Sequence, residues 1–138
     1  MNDYSGQSLE GSNFEGKNLN GARFRGSYLV GSNFQGANLQ NAVLKEANAS
    51  KVNFQGANFY RSLCAGGTFH EADFTFANLS NADFKNADLR GANLSGADLS
   101  EARLSGANLS GANLDGAKLF RCLDSRKTIW PAGHQRPK

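Results

Sequence analysis

An apolar residue returns at every fifth position of this chain. Calling the centre of each five-residue unit i, steps of five from Tyr4 to Leu119 visit 24 centres. Of these, 22 are Leu, Phe or Tyr, and the exceptions are Ala49 and Cys64. Eight of the ten phenylalanines fall in this register, and no insertion or deletion interrupts it. Position i−2 is mostly small, i−1 is mostly Asn or Asp, and i+2 is often Gly, most regularly over residues 87–119. Short internal repetition sets the architecture before any local propensity does.

A period of five suits neither a helix nor a flat strand. At about 100° per residue, five residues advance a helical side chain by about 140°, so the apolar positions spiral instead of forming a stripe. In a continuous strand an odd period would send successive centres to opposite faces. The pattern fits an extended segment with i−2 and i inward and i−1 outward, followed by a corner through i+1 and i+2. Glycine at Gly16, Gly36, Gly56, Gly96 and Gly116 suits that corner. Repeated corners of one hand close into a coil, and stacked coils make a solenoid.

The tandem Ala92-Asn93-Leu94-Ser95-Gly96 and Ala97-Asp98-Leu99-Ser100 resembles the pentapeptide-repeat family, and residues 4–119 carry the resemblance. It is similar to the short cyanobacterial members. The resemblance implies an all-β, right-handed quadrilateral β-helix with four repeats per coil, about six coils in all. Six coils would form a rod about 29 Å tall at the usual strand spacing. A 20-residue super-period gives independent support. The i+2 column Gly21, Asn41, Arg61, Asn81, Glu101, Arg121 is almost free of glycine. The column Gly16, Gly36, Gly56, Phe76, Gly96, Gly116 is almost all glycine.

The β-helix is expected over residues 1–124, with residues 125–138 a short cap and a basic, flexible tail. The register is expected to dissolve after Leu119. Gln7 and Lys17 at i−2 are expected to widen the first coil, since Ala72 to Ala117 keep alanine there. Trp130 with Ile129 and Phe120 reads either as a C-terminal cap or as an end-to-end dimer contact, leaving monomer and homodimer open.

Charge changes the functional picture. Of the net +3, residues 1–119 hold 10 Lys/Arg against 11 Asp/Glu, and residues 120–138 hold 5 against one. A dense basic stripe for nucleic acid is missing. No apolar run approaches a membrane span. The start MNDYSGQSLE lacks a basic region followed by an apolar core. A cytoplasmic protein without nucleic-acid or membrane partners is expected. The resemblance also implies an alternative, a DNA mimic that acts on a type II topoisomerase such as gyrase. That role needs a strongly acidic rod, so a nearly neutral one disfavours it.

No enzyme, cofactor or metal is expected, because a filled solenoid offers no pocket where titratable groups converge. Asp73, Asp83, Asp88 and Asp98 fall on four different sides and read as outward residues exchangeable with Asn. His70 and His134 lack a second ligand at metal spacing. Cys64 reads as a small core residue. One side departs from the repeat, and it carries the candidate protein-contact patch: Arg23, Arg25, Val43, Lys45 and Leu63, with Tyr60 and Arg61 at the adjoining corner. Val43 and Leu63 would be vertical neighbours where Asn or Asp is usual. An apolar pair rimmed by basic residues suits a protein partner. Drift on a tolerant surface is the other reading of the same residues.

Overall fold

The computed structural model describes residues 2–134 and residue 136. Among them there is no helix, and every ladder contact is a one-residue parallel bridge. From Asp3↔Arg23 to Arg103↔Leu123, each bridge joins residues twenty apart. Four five-residue steps therefore bring the chain back onto itself, giving four stacked sides.

One repeat shows why the sequence folds this way. In residues 52–56, Phe54 N–H donates to the Asp73 carbonyl of the following coil at 2.7 Å. Asp73 N–H donates back to the Val52 carbonyl at 2.9 Å, and Gly56 N–H reaches the Thr75 carbonyl at 2.9 Å. Ala57 N–H closes the corner onto the Phe54 carbonyl at 3.0 Å. The i+1 amide alone is beyond the reach of the ladder. Asn53 supplies its partner, as Oδ1 accepts from Gln55 N–H at 3.0 Å. Wherever Asn or Asp stands at i−1 this side-chain turn forms, as at Asn93 to Ser95 (3.0 Å) and Asp98 to Ser100 (2.9 Å). The Asn/Asp preference thus satisfies the one backbone donor that the ladder leaves over.

At the corner, i+2 is left-handed throughout, with φ between 56° and 74°, at glycine and non-glycine residues alike. Phe76 is the bulkiest of these, at φ 58°. Its ring lies over Gly96 of the next coil, where a Cβ would come within 2.5 Å of it. At Gly96 the left-handed angle favours glycine, and an added side chain would displace the exposed Phe76 ring.

The interior is filled by centres stacked in columns. Phe14 and Phe34 stack at 4.7 Å between ring centroids, Phe34 and Phe54 lie at 5.3 Å, and Phe54 and Phe74 stack at 5.0 Å. The alanines at i−2 fill the remaining width. Gln7 and Lys17 are exposed, yet the first coil stays in register, with Tyr28 N–H on the Gln7 carbonyl at 2.9 Å. Because their side chains turn outward, the first coil keeps its regular ladder.

The register does not dissolve after Leu119. Leu123 pairs with Arg103, so Cys122, Leu123 and Asp124 form one more repeat. The next bridge, Asn108↔Ile129, spans twenty-one residues. One extra residue enters between Asp124 and Thr128, and Thr128 then takes the inward i−2 place. Its hydroxyl donates to the Leu104 carbonyl at 2.8 Å and accepts from Ser125 and Gly106 N–H at 3.0 and 3.2 Å. The boundary drawn at residue 124 therefore falls within the ladder, not at its end.

Phe54→Ala removes a fully buried ring from the middle of the stack. It should lower unfolding free energy by about 3–5 kcal/mol. Phe120→Ala, at a residue 64% exposed, should change it by less than about 0.5 kcal/mol. Urea unfolding followed by circular dichroism measures both.

Candidate protein-contact side

The four sides differ in how faithfully they keep the corner bond. The side through Asn13, Asn33, Asn53, Asp73, Asn93 and Asn113 keeps Asn or Asp at every step, and each accepts from the amide two residues on. The side through Asp3, Arg23, Val43, Leu63, Asp83, Arg103 and Leu123 keeps it only at Asp3 and Asp83. At the other steps the side chain points outward without bonding its corner. The side through Ser8, Tyr28, Asn48, Thr68, Asp88, Asn108 and Ile129 departs at four steps.

On the most irregular side the structure forms a trough of about 560 Å³. Leu63, Asp83, Arg103 and Leu123 form its floor, and Arg61, Asn81, Glu101 and Arg121 form the adjoining corner. Leu63 is 38% exposed and Leu123 is 54% exposed. The Arg61 guanidinium lies 5.3 Å from the Tyr60 ring centroid, and the Arg121 guanidinium 5.0 Å from that of Phe120. The five charged side chains of the trough make no ion pair with any described residue.

The patch residues named from the sequence separate into three groups. Arg61 and Leu63 line the trough, with Tyr60 beneath Arg61. Val43 pairs with Leu63, and Arg23 pairs with Val43, so both extend the floor towards the first coils. Arg25 and Lys45 stand at the far corner, and Arg25 is engaged by Glu46 at 3.2 Å. Sequence reasoning missed the part centred on Asn81, Glu101, Arg121 and Leu123. The glycine-poor corner column carries the signal for Asn81, Glu101 and Arg121, whereas Leu123 falls after Leu119, where the register is expected to dissolve.

Phe120, Ile129 and Trp130 do not gather on the end of the coil. Phe120 is exposed at the corner of the trough, and Ile129 is exposed as the outward residue of a neighbouring side. Trp130 packs on the core, with its indole N–H on Asp124 Oδ2 at 3.1 Å and its ring stacked on His134 at 5.3 Å. Arg136 donates to the same carboxylate at 2.9 Å.

Elsewhere the titratable groups are structural. The Arg90 side chain bonded to Asp88 holds that carboxyl below its ordinary range. His70 Nε2 lies 3.6 Å from Glu71. Among the described residues no three His, Cys, Asp or Glu side chains are placed to hold a metal ion. Burial pushes the Cys64 thiol up from 9.0 to about 12. Cys122, half-buried and near Asp124, is also raised, mainly by burial.

The coil and its five-residue ladder define a β-helical repeat protein. Pentapeptide repeats match in eight copies over residues 6–41, 27–63, 68–106 and 87–123, and the chain belongs to this family. A pentapeptide repeat protein from the cyanobacterium Cyanothece 51142 is 26% identical over 89% of this chain and 90% of its own, with a TM-score of 0.43. Another from Nostoc Pcc 7120 is 33% identical over 75% of this chain and 77% of its own, with a TM-score of 0.44. Trypsin-treated QnrB1, a plasmid-mediated fluoroquinolone resistance protein, is 20% identical over 91% of this chain and 87% of its own, with a TM-score of 0.25. No curated protein matches in sequence.

Restoring the corner bond on the irregular side should stabilise the fold. Arg103→Asn lets Oδ1 accept from Ser105 N–H and should raise unfolding free energy by about 0.5–1 kcal/mol, while Asn93→Ala should lower it by a similar amount. Urea denaturation reads both. The raised thiol pKa has a determinate sign. Native Cys64 keeps its proton where the unfolded thiol loses it, so its contribution is complete below about pH 9 and is lost as pH rises towards 12. Wild type minus Cys64→Ala stability, measured from pH 7 to 11, should fall above about pH 9.

Proposed function

We propose that this chain is a non-enzymatic interaction protein of the cytoplasm. In this reading a rigid, right-handed quadrilateral β-helix of about six coils presents the side through Val43, Leu63 and Arg103 to a protein partner. The observation that carries the reading is the abandoned corner bond. Arg23, Val43, Leu63 and Arg103 give up a backbone hydrogen bond that Asn or Asp would make at each position. That loss does nothing for the fold. The bond is given up at four steps here, against three at Ser8, Tyr28 and Thr68, and on this side the departures surround a trough with two exposed leucines and unpaired charges. Exposed apolar residues mixed with arginine and flanked by aromatics suit protein recognition.

The topoisomerase alternative has no comparable support. The rod over residues 1–119 has 10 basic against 11 acidic residues, too few excess acids to imitate a DNA duplex.

The test replaces Val43 and Leu63 by Ser and Arg61 by Gln in one chain. The variant should keep its melting temperature within a few degrees, since the three side chains lie outside the core. Immobilised wild type should capture a partner from the source cell that the variant loses. Equal capture by both removes the trough from the proposal.

A further inference from the structure

The trough has an internal pseudo-symmetry. Along the coil axis its floor reads Leu63, Asp83, Arg103, Leu123, in steps of about 4.8 Å. About the midpoint between Asp83 and Arg103, each leucine maps onto the other and the acid maps onto the base. The corner column obeys the same relation. The pair Tyr60-Arg61 maps onto Phe120-Arg121, each an arginine lying on an aromatic ring, and Asn81 maps onto Glu101. Asp83 and Arg103 are ladder neighbours, yet their side chains form no ion pair.

A two-fold interface needs this kind of self-complementary surface. We propose that the partner on this side is a second copy of the same chain, docked side by side and antiparallel. This rests on the contact-side reading above and names its occupant. The two-fold axis crosses the rod between the coils of Asp83 and Arg103. It sets Leu63 against the partner's Leu123, and Asp83 against the partner's Arg103, each twice. Asn81 meets the partner's Glu101, an amide donor for a carboxylate. Arg61 meets the partner's Arg121, the one like-charged pairing. It lies at the solvated corner, where screening is strongest, and Glu101 stands one coil away. The overlap spans four coils, about 19 Å, so the contact is small and the dimer is weak and reversible.

The alternative surface for self-association, the C-terminal end, is less suited. Its large aromatic, Trp130, is already held by Asp124 and His134 of its own chain.

The test is sedimentation velocity on the full chain over a concentration series. Wild type should move from a 14.8 kDa monomer towards twice that mass. Asp83→Arg and Arg103→Asp should each weaken self-association at least about tenfold, because each sets like charges together twice. Mixed in equal amounts, the two variants should regain a dimer, since one then carries two arginines opposite two aspartates. Asp98→Arg, the same charge change and the same lost corner bond on another side, should dimerise like wild type. A wild type that stays monomeric at every concentration overturns the proposal. So does a dimer indifferent to both swaps, or a mixture that stays monomeric. The contact-side reading fails on a separate result, unchanged partner capture by the Val43, Leu63 and Arg61 variant.

Discussion

Each five-residue step leaves one amide hydrogen that the parallel ladder cannot reach. Four of the five N–H groups in a repeat find carbonyls, in the neighbouring coils or across the corner. The fifth, at i+1, depends on the side chain two residues earlier. Asn and Asp are short enough to turn back and accept from it, as Asn53 does for Gln55. This local bond reinforces the corner that carries the chain from one side to the next, which also closes through its own backbone bond, as Ala57 N–H does on the Phe54 carbonyl. The corner brings i−2 and i inward again, and the stacked phenylalanines and leucines follow from that placement.

The same constraint separates scaffold from surface. A side that keeps Asn or Asp at i−1 is committed to its own corners, with its carboxamide or carboxylate oxygen already used. A side that places Val, Leu or Arg there frees those side chains for other contacts and leaves corner amides such as those of Ala65 and Ser105 without a side-chain acceptor. Asp83 does both, since one oxygen accepts from Lys85 N–H while the carboxylate still lines the trough. An outward position on this rod is therefore informative when it departs from the corner-bonding residue.

Much of this was legible in the sequence. The unbroken register of Leu and Phe excluded helix and flat strand, and the glycine-poor column from Asn41 to Arg121 marked one corner as different. Val43 over Leu63 followed from a twenty-residue return. Three things were not legible. Asn and Asp at i−1 read as interchangeable polar residues, because nothing in the spacing shows that the i+1 amide lacks a ladder partner. Leu123 is not legible as a rung, since Asp124 puts a carboxylate where the repeat calls for an apolar centre. The extra residue before Thr128 hid the last rung, which depends on a buried hydroxyl meeting three backbone groups.

Side-chain capping of the i+1 amide sets the side of Asn53 and Asn93 apart from the side proposed here for protein contact. Amide hydrogen exchange resolved by NMR tests it directly. The amides of Gln55, Ser95 and Ser100, bonded to Asn53, Asn93 and Asp98, should be protected about tenfold or more over those of Ala65 and Ser105, which follow Leu63 and Arg103. Equal protection of all five amides would contradict the account.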